Sequence, residues 1–202
     1  YQVEQEFGYS PEEIFSSIFY VNRPETFFKY YREWMLKPHL EPSAGFYALA
    51  ELERRGKLQC SIANNVHNLP GRAGCQKVLN LHGTIYDNEC PRCGRKYSME
   101  YIRDAKRVPL CEDCMAVIRP KVLLFGEQVD NRMMTAAADE IAKADVLLLL
   151  GTSIGSGLCE RYVKYFEGET LIIINAAEHF TDAKADIVLR EEVKTALPKI
   201  VL

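Results

Sequence analysis

A chain of 202 residues with 48% hydrophobic and 26% charged side chains has the composition of one folded domain with an insertion, or of two small ones. Its net charge of -3 and pI near 5.9, with no cluster of Lys and Arg, give nucleic acid no basic face to bind. Val146–Leu150, the longest aliphatic run, falls far short of a bilayer, so no membrane partner is expected. No secretory signal is seen at Tyr1, and an odd count of seven cysteines fits a reducing cytoplasm better than a disulfide framework.

Residues 1–40 read as helical and aromatic. Ser10-Pro11-Glu12-Glu13 combines an N-cap, a proline at the first helical position and acidic residues in the first turn. A second start, Asn22-Arg23-Pro24-Glu25, leads into Phe27, Phe28, Tyr30, Tyr31 and Trp34, a spacing that suits a packed helix face better than a cofactor box. Pro42-Ser43 opens a helix from Ala44 to Arg55, with Phe46, Leu49 and Leu52 on one stripe and Gly56 as its terminator. Leu58–Ile62 reads as a short strand, residues 63–67 as a polar turn, and Val78–Leu81 as an apolar run ending at His82. Ile85–Val117 is expected to hold small antiparallel strands and a helix around Met99–Lys106.

Val122–Phe125 reads as a buried strand ending at Gly126-Glu127, followed by a helix over residues 131–143 with Met133, Met134, Ala137 and Ile141 inward. Asp145–Leu150 is a continuous apolar strand of the kind covered on both faces in a parallel sheet. After the turn Gly151–Gly157 a helix runs through Phe166. Leu171–Ile174 and Ala185–Leu189 are further strands, and a helix over residues 191–200 closes the chain. Strands alternating with helices indicate an α/β fold with a Rossmann-like, doubly wound parallel sheet, whose ligands sit at the carboxyl ends of the strands. Asn65, His82, Phe125-Gly126, Gly151 and Asn175 all fall at or just after such ends.

Cys90-Pro91-Arg92-Cys93 and Cys111-Glu112-Asp113-Cys114, separated by seventeen residues, have the spacing of a four-cysteine zinc site. Four thiolates leave no open coordination position, so this zinc is expected to be structural. The chemistry must lie elsewhere. His82 beside Gly83 reads as a general base or as a structural histidine. Gly151-Thr152-Ser153 reads as a cradle of N–H groups and hydroxyls for a phosphate or ribose, or as a tight turn that needs glycine. Asn64-Asn65 can bind a sugar hydroxyl or simply form a turn. His67 has no supporting pattern, His39 and His179 read as surface or loop residues, and Cys60 and Cys159 lack a neighbouring histidine that would make a thiolate nucleophile.

Taken in order, these pieces resemble the sirtuins, the NAD-dependent protein-lysine deacylases, and above all their bacterial members. The resemblance is carried by Pro24–Arg32, Asn65, Arg72-Ala73-Gly74, Leu81-His82-Gly83, the two cysteine pairs, Arg119-Pro120-Lys121-Val122 with Phe125-Gly126-Glu127, Gly151-Thr152-Ser153 and Asn175. It implies a Rossmann-like domain with a smaller helical plus zinc-ribbon domain. The expected division has residues 1–57 as a mainly helical segment contributing to both domains, 58–84 as the first part of the Rossmann-like domain, 85–118 as the zinc module and 119–202 as its second part.

The resemblance implies His82 and Asn65 as catalytic residues, and NAD held by Asn64, Asn65, His67, Gly151, Thr152, Ser153, Asn175 and Ala176. It implies an acylated-lysine protein or peptide added as a strand to Leu124-Phe125-Gly126-Glu127, and zinc on Cys90, Cys93, Cys111 and Cys114. In the implied reaction the acyl oxygen attacks the nicotinamide ribose and nicotinamide leaves. The histidine matching His82 then takes a proton from the ribose hydroxyl that closes on the acyl carbon, and the product is O-acyl-ADP-ribose.

The chain departs from the family pattern in three places. The family opens with a first strand, a glycine-rich turn and an arginine-bearing loop, and Tyr1 stands just beyond them, so residues 1–202 alone are expected to bind NAD poorly. Asn64 and His67 stand where the family has glutamine and aspartate, which removes an anionic acceptor for the nicotinamide amide. Leu69–Gly74 lacks the family's histidine, and Leu158-Cys159 replaces proline-alanine. An alternative expectation follows: a binding or interaction module that keeps the zinc-stabilised fold with weakened turnover.

Overall fold

The computed structural model describes residues 2–36 and 40–201, so the expectation for His39 lies outside the described residues. Helices α1 (Gln2–Phe7), α2 (Pro11–Ile14), α3 (Ser17–Asn22) and α4 (Pro24–Tyr30) are followed by a π-helical turn, Tyr31–Leu36, and by α5 (Ala44–Arg54). Then come β1 (Ser61–Ala63), α6 (Leu69–Ala73), β2 (Val78–Asn80), β3 (Gly83–Glu89), β4 (Lys96–Tyr97), α7 (Met99–Asp104) and β5 (Arg119–Val122). The last part comprises α8 (Asn131–Ala142), β6 (Val146–Leu150), α9 (Gly157–Val163), β7 (Thr170–Ile174), a 3-10 turn Phe180–Lys184, β8 (Ile187–Leu189) and α10 (Val193–Val201). Two compact units emerge. One comprises Tyr1–Leu40, Asn64–His67 and His82–Val129; the other comprises Glu41–Ala63, Asn68–Leu81 and Asp130–Leu202.

The first unit is built on an aromatic core. Ser10 starts α2 with a reciprocal cap: Glu13 N–H donates to Ser10 Oγ at 3.2 Å, and Ser10 N–H donates to Glu13 Oε2 at 2.8 Å. Pro24 opens α4 as expected, and Phe27, Phe28 and Tyr31 are fully buried, with Phe15 and Phe27 both stacked on Tyr31. Its sheet has the order β4-β3-β5 and is antiparallel throughout. This corrects the expected buried strand over Val122–Phe125. The ladder runs earlier, pairing Glu89 with Arg119 and Gly83 with Val122. Leu124 leaves it because the Glu127 carboxylate takes its N–H at 2.8 Å.

The second unit carries the parallel strands of the α/β fold. β1 pairs with β2, and β6-β7-β8 form a three-stranded parallel sheet. Helices α5 and α10 pack around Ala48, Leu49, Ala196, Leu197 and Val201. The strand expected at Leu58–Ile62 starts three residues later, because the N–H groups of Lys57 and Leu58 both reach back to the Leu52 carbonyl to finish α5. In α8 the stripe Met133, Ala137 and Ile141 faces the core. Met134, expected inward, is 37% exposed, since it lies one residue and about 100° round from that stripe. The expected cover on both sheet faces holds for Leu149, Ile173 and Ile174, whereas Val146 and Ile187 are about half exposed.

One backbone contact needs glycine. Gly83 has φ +70°, and a Cβ added there would lie 1.8 Å from the Lys121 carbonyl oxygen. Gly83→Ala is expected to cost about 3 kcal/mol or more in urea denaturation, since both strain and overlap must be relieved. Gly94→Ala, at φ +76° with nothing within 4 Å, serves as the control and is expected to cost about 1 kcal/mol.

Candidate functional site

The four cysteines of the first unit converge. Their Sγ atoms all lie within 4.8 Å of one another, with Cys90–Cys114 at 3.3 Å and Cys93–Cys111 at 3.5 Å. Tetrahedral zinc with Zn–S near 2.3 Å needs sulfurs about 3.8 Å apart, so the cluster fits that ion. The two knuckles repeat one backbone design. Gly94 N–H donates to the Cys90 carbonyl and Met115 N–H to the Cys111 carbonyl, both at 2.9 Å, and both donors have left-handed φ, +76° and +59°. The Arg92 and Cys93 N–H groups also point at Cys90 Sγ, each at 3.4 Å.

Four thiolates on one zinc leave a net dianion, and the surroundings answer it. The Tyr97 hydroxyl donates to Cys111 Sγ at 3.2 Å and pulls that thiol down to about 6. Tyr97 is held in turn by the Glu112 N–H, which donates to its oxygen at 2.9 Å. Arg92 donates to the Cys114 carbonyl, and Arg95, over the Tyr97 ring, pairs with Glu112 and Asp113.

His82, Asn65 and His67 belong to the same unit. His82 is half-buried, and its carbonyl accepts the Leu123 N–H at 2.8 Å, immediately before the Gly83–Val122 pair. The segment 64–67 is tied to the same strand, since Ile85 N–H donates to the Val66 carbonyl at 2.9 Å. Within that segment the Asn65 side-chain oxygen accepts the His67 N–H at 3.1 Å, and Asn64 is exposed.

Leu124–Glu127 form a tight, clamped turn. Gly126 has φ +88°, Glu127 N–H donates to the Leu124 carbonyl, and the Glu127 carboxylate takes both the Leu124 N–H and an ion pair in which Arg119 Nη2 reaches its two oxygens at 2.8 and 2.7 Å. Arg119 also lies over the Tyr20 ring and donates to the carbonyls of Pro120 and Val122. Phe125 N–H donates to the Phe15 carbonyl, and its own carbonyl accepts from Ser17, both at 3.0 Å. Its ring is 56% exposed.

In the second unit Leu150 and Ile174 are register partners, so Gly151 and Asn175 follow adjacent strand ends. Gly151, at φ +66°, donates its N–H to the Ile174 carbonyl at 2.9 Å, and Asn175 donates to Leu189 at 3.1 Å. The Thr152 and Ser156 hydroxyls meet at 2.9 Å, Ser153 is half-buried and Ala176 is exposed. His179, expected as a surface or loop residue, lies in the loop before the 3-10 turn, where it is half-buried and serves as that turn's N-cap. Tyr97 and Thr181 carry no local sequence signal, because each acts on a group many residues away, Cys111 and Gly155.

A family model described as the Sir2 family matches residues 1–156. A relative from Clostridium acetobutylicum named NAD-dependent protein deacetylase is 33% identical over 202 residues, covering 100% of this chain and 82% of that protein. A structure described as the basis for the mechanism and regulation of Sir2 enzymes superposes with a TM-score of 0.87 at 29% identity, covering 99% of this chain and 85% of that one. Another, described as Sir2 with a p53 peptide and NAD+, gives a TM-score of 0.81 at 27% identity over 98% of this chain and 88% of that one.

Structural zinc sites contribute folding free energy directly, on the order of 10 kcal/mol in small modules. Stripping the metal with a chelator is therefore expected to lower the melting temperature by about 10 °C or more and to expose the segment from Cys90 to Cys114 to protease. An unchanged melting curve would show that the tetrathiolate is not a folding element.

Proposed function

The chain belongs to the Sir2 family, and from that membership we propose the working parts of an NAD-dependent protein-lysine deacylase, which moves the acyl group of an acylated lysine onto ADP-ribose and releases nicotinamide. NAD supplies a ribose with a leaving group on one carbon and hydroxyls on its neighbours. Zinc supplies scaffolding, since its four thiolates saturate the ion. The observation that carries this reading is that Asn65, His82 and Phe125-Gly126-Glu127 share one compact unit and are joined by main-chain hydrogen bonds, Ile85 to Val66 and Leu123 to His82.

His82 is assigned the removal of a proton from a ribose hydroxyl, which suits an imidazole because it exchanges protons near neutral pH. Asn65 is assigned the ribose. Its side-chain oxygen accepts the His67 N–H, which orients the amide, and its NH2 group is assigned as donor to a ribose oxygen. Asn64, His67, Gly151, Thr152, Ser153, Asn175 and Ala176 are assigned to the rest of the dinucleotide. His67 stands where the resemblance puts an aspartate and offers no anion, so nicotinamide capture is the step this chain supports least.

Leu124–Glu127 are assigned to the acylated peptide by strand addition. The N–H groups of Leu123 and Phe125 leave one edge of this segment and are already spent, so the peptide is assigned to the opposite edge at Gly126. Glu127 serves by holding the turn, and Phe125 offers an exposed aromatic wall. A second reading, a binding module with weakened turnover, is favoured by His67. A cytoplasmic site of action is supported by seven free cysteines, and no described helix is long and apolar enough to cross a membrane.

His82→Ala is expected to lower deacylation of an acetylated peptide by at least about a hundredfold while NAD still raises the melting temperature. Equal activity in that variant would remove the general-base assignment, and an inactive parent protein that still binds NAD would select the second reading. Glu127→Gln is expected to raise the peptide KM about tenfold with the NAD KM unchanged, because the clamp loses its charge-assisted bonds. Equal rises in both KM values would mean that Glu127 acts on the whole fold.

A further inference from the structure

The turn after β6 is braced by a side-chain relay through Thr181 and His179. The Gly155 N–H donates to Thr181 Oγ1 at 3.0 Å. His179 Nδ1 lies 2.7 Å from that hydroxyl and also accepts the Thr181 N–H at 3.2 Å. The Thr181 hydroxyl and main-chain N–H therefore both face Nδ1, and with either imidazole tautomer the hydroxyl oxygen keeps a lone pair for the Gly155 N–H.

The ring also closes the space above the turn. A Cβ added at Gly155 would lie 2.6 Å from His179 Cε1 and 3.1 Å from Thr181 Cγ2. The far end of the relay is anchored, since Asp182 is 1% exposed, accepts the His179 N–H at 3.2 Å and pairs with Arg190 at 2.7 Å.

We propose that Thr181, with His179 behind it, is a positioning residue for the cofactor: the relay fixes the Gly155 peptide and so holds the 151–156 turn in its dinucleotide-binding shape. This rests on reading Gly151-Thr152-Ser153 as part of the NAD site. Within the turn, Gly151, Gly155 and Ser156 spend their N–H groups on protein acceptors at Ile174, Thr181 and Ser153. Those of Thr152, Ser153 and Ile154 have no protein acceptor among the described residues, and they are the groups a dinucleotide oxygen can use. A side chain 26 residues downstream thus decides the conformation of donors it never shares with the ligand.

The test is Thr181→Val, which keeps the branched shape and deletes the hydroxyl, in the full protein with NAD and an acetylated peptide. The NAD KM is expected to rise about five- to tenfold with kcat within about twofold and the peptide KM unchanged, and Thr181→Ser is expected to restore the parent value. An unchanged NAD KM in Thr181→Val would overturn the proposal, as would a rise that Thr181→Ser does not rescue. If Thr181→Val melts early, His179→Leu decides instead. It fills the space over Gly155 but removes the acceptor, so a raised NAD KM alone upholds the relay and an unchanged one overturns it. Ser153→Ala separates the two layers of the argument. If it raises the NAD KM while Thr181→Val does not, the relay fails and the site stands; if it changes nothing, the cofactor reading of the turn fails first.

Discussion

Antiparallel pairing of Gly83–Glu89 with Arg119–Val122 positions the candidate chemical groups of the first unit. His82 immediately precedes the strand, and its carbonyl extends the ladder to Leu123. Three residues on, Ile85 ties down the Asn65 segment through Val66, and at its far end the strand runs into Cys90. The partner strand begins with Arg119, whose guanidinium clamps the Phe125-Gly126 turn through Glu127. The close approach at Gly83 is the constraint on all of this. With any side chain there, the strands must separate where His82 is held, and the error is passed both to the Asn65 segment and to the turn that follows β5.

The metal centre and the assigned base therefore share a strand but divide the labour. A zinc saturated by four thiolates can offer neither an open position nor a bound water, so its effect on His82 passes through the backbone it holds. Tyr97 belongs to that holding function. Its hydroxyl favours the thiolate of Cys111, and the Arg92 and Cys93 N–H groups point at Cys90, so the cluster's charge is met by hydrogen bonds within the same module. Burying that charge without such partners would oppose folding rather than support it.

What could be read from the sequence follows how far each cause acts along the chain. The Ser10 cap, the proline at the head of α4, Gly56 at the end of α5 and the C-x-x-C knuckles are each settled within about five residues, and each was legible. The start of β1 was misplaced because Lys57 and Leu58 were already committed to the preceding helix. Val122–Phe125 reads as a buried strand because its apolar pattern fits one; the pairing that ends the strand at Val122, with β3, is long-range and no local pattern encodes it. Met134 reads as inward beside Met133, but helical geometry turns it about 100° away from that stripe. For the site, residue chemistry alone left His82 and Gly151-Thr152-Ser153 open, and it was the ordered resemblance to a family that attached roles to them.

Thr181 and His179 mark the limit of that approach. A threonine and a histidine two residues apart in a polar stretch are ordinary turn formers, and nothing in their neighbours points to Gly155. Their role comes from exclusion and from hydrogen-bond geometry. Gly155 leaves room for the ring, and the Thr181 hydroxyl sits between His179 Nδ1 and the Gly155 N–H. The relay ends at the Asp182–Arg190 pair, where a buried carboxylate tolerates burial because a guanidinium and the His179 N–H satisfy one of its oxygens. The turn after β6 is thus braced, through Thr181, by the 3-10 turn that the Asp182–Arg190 pair anchors at the end of β8.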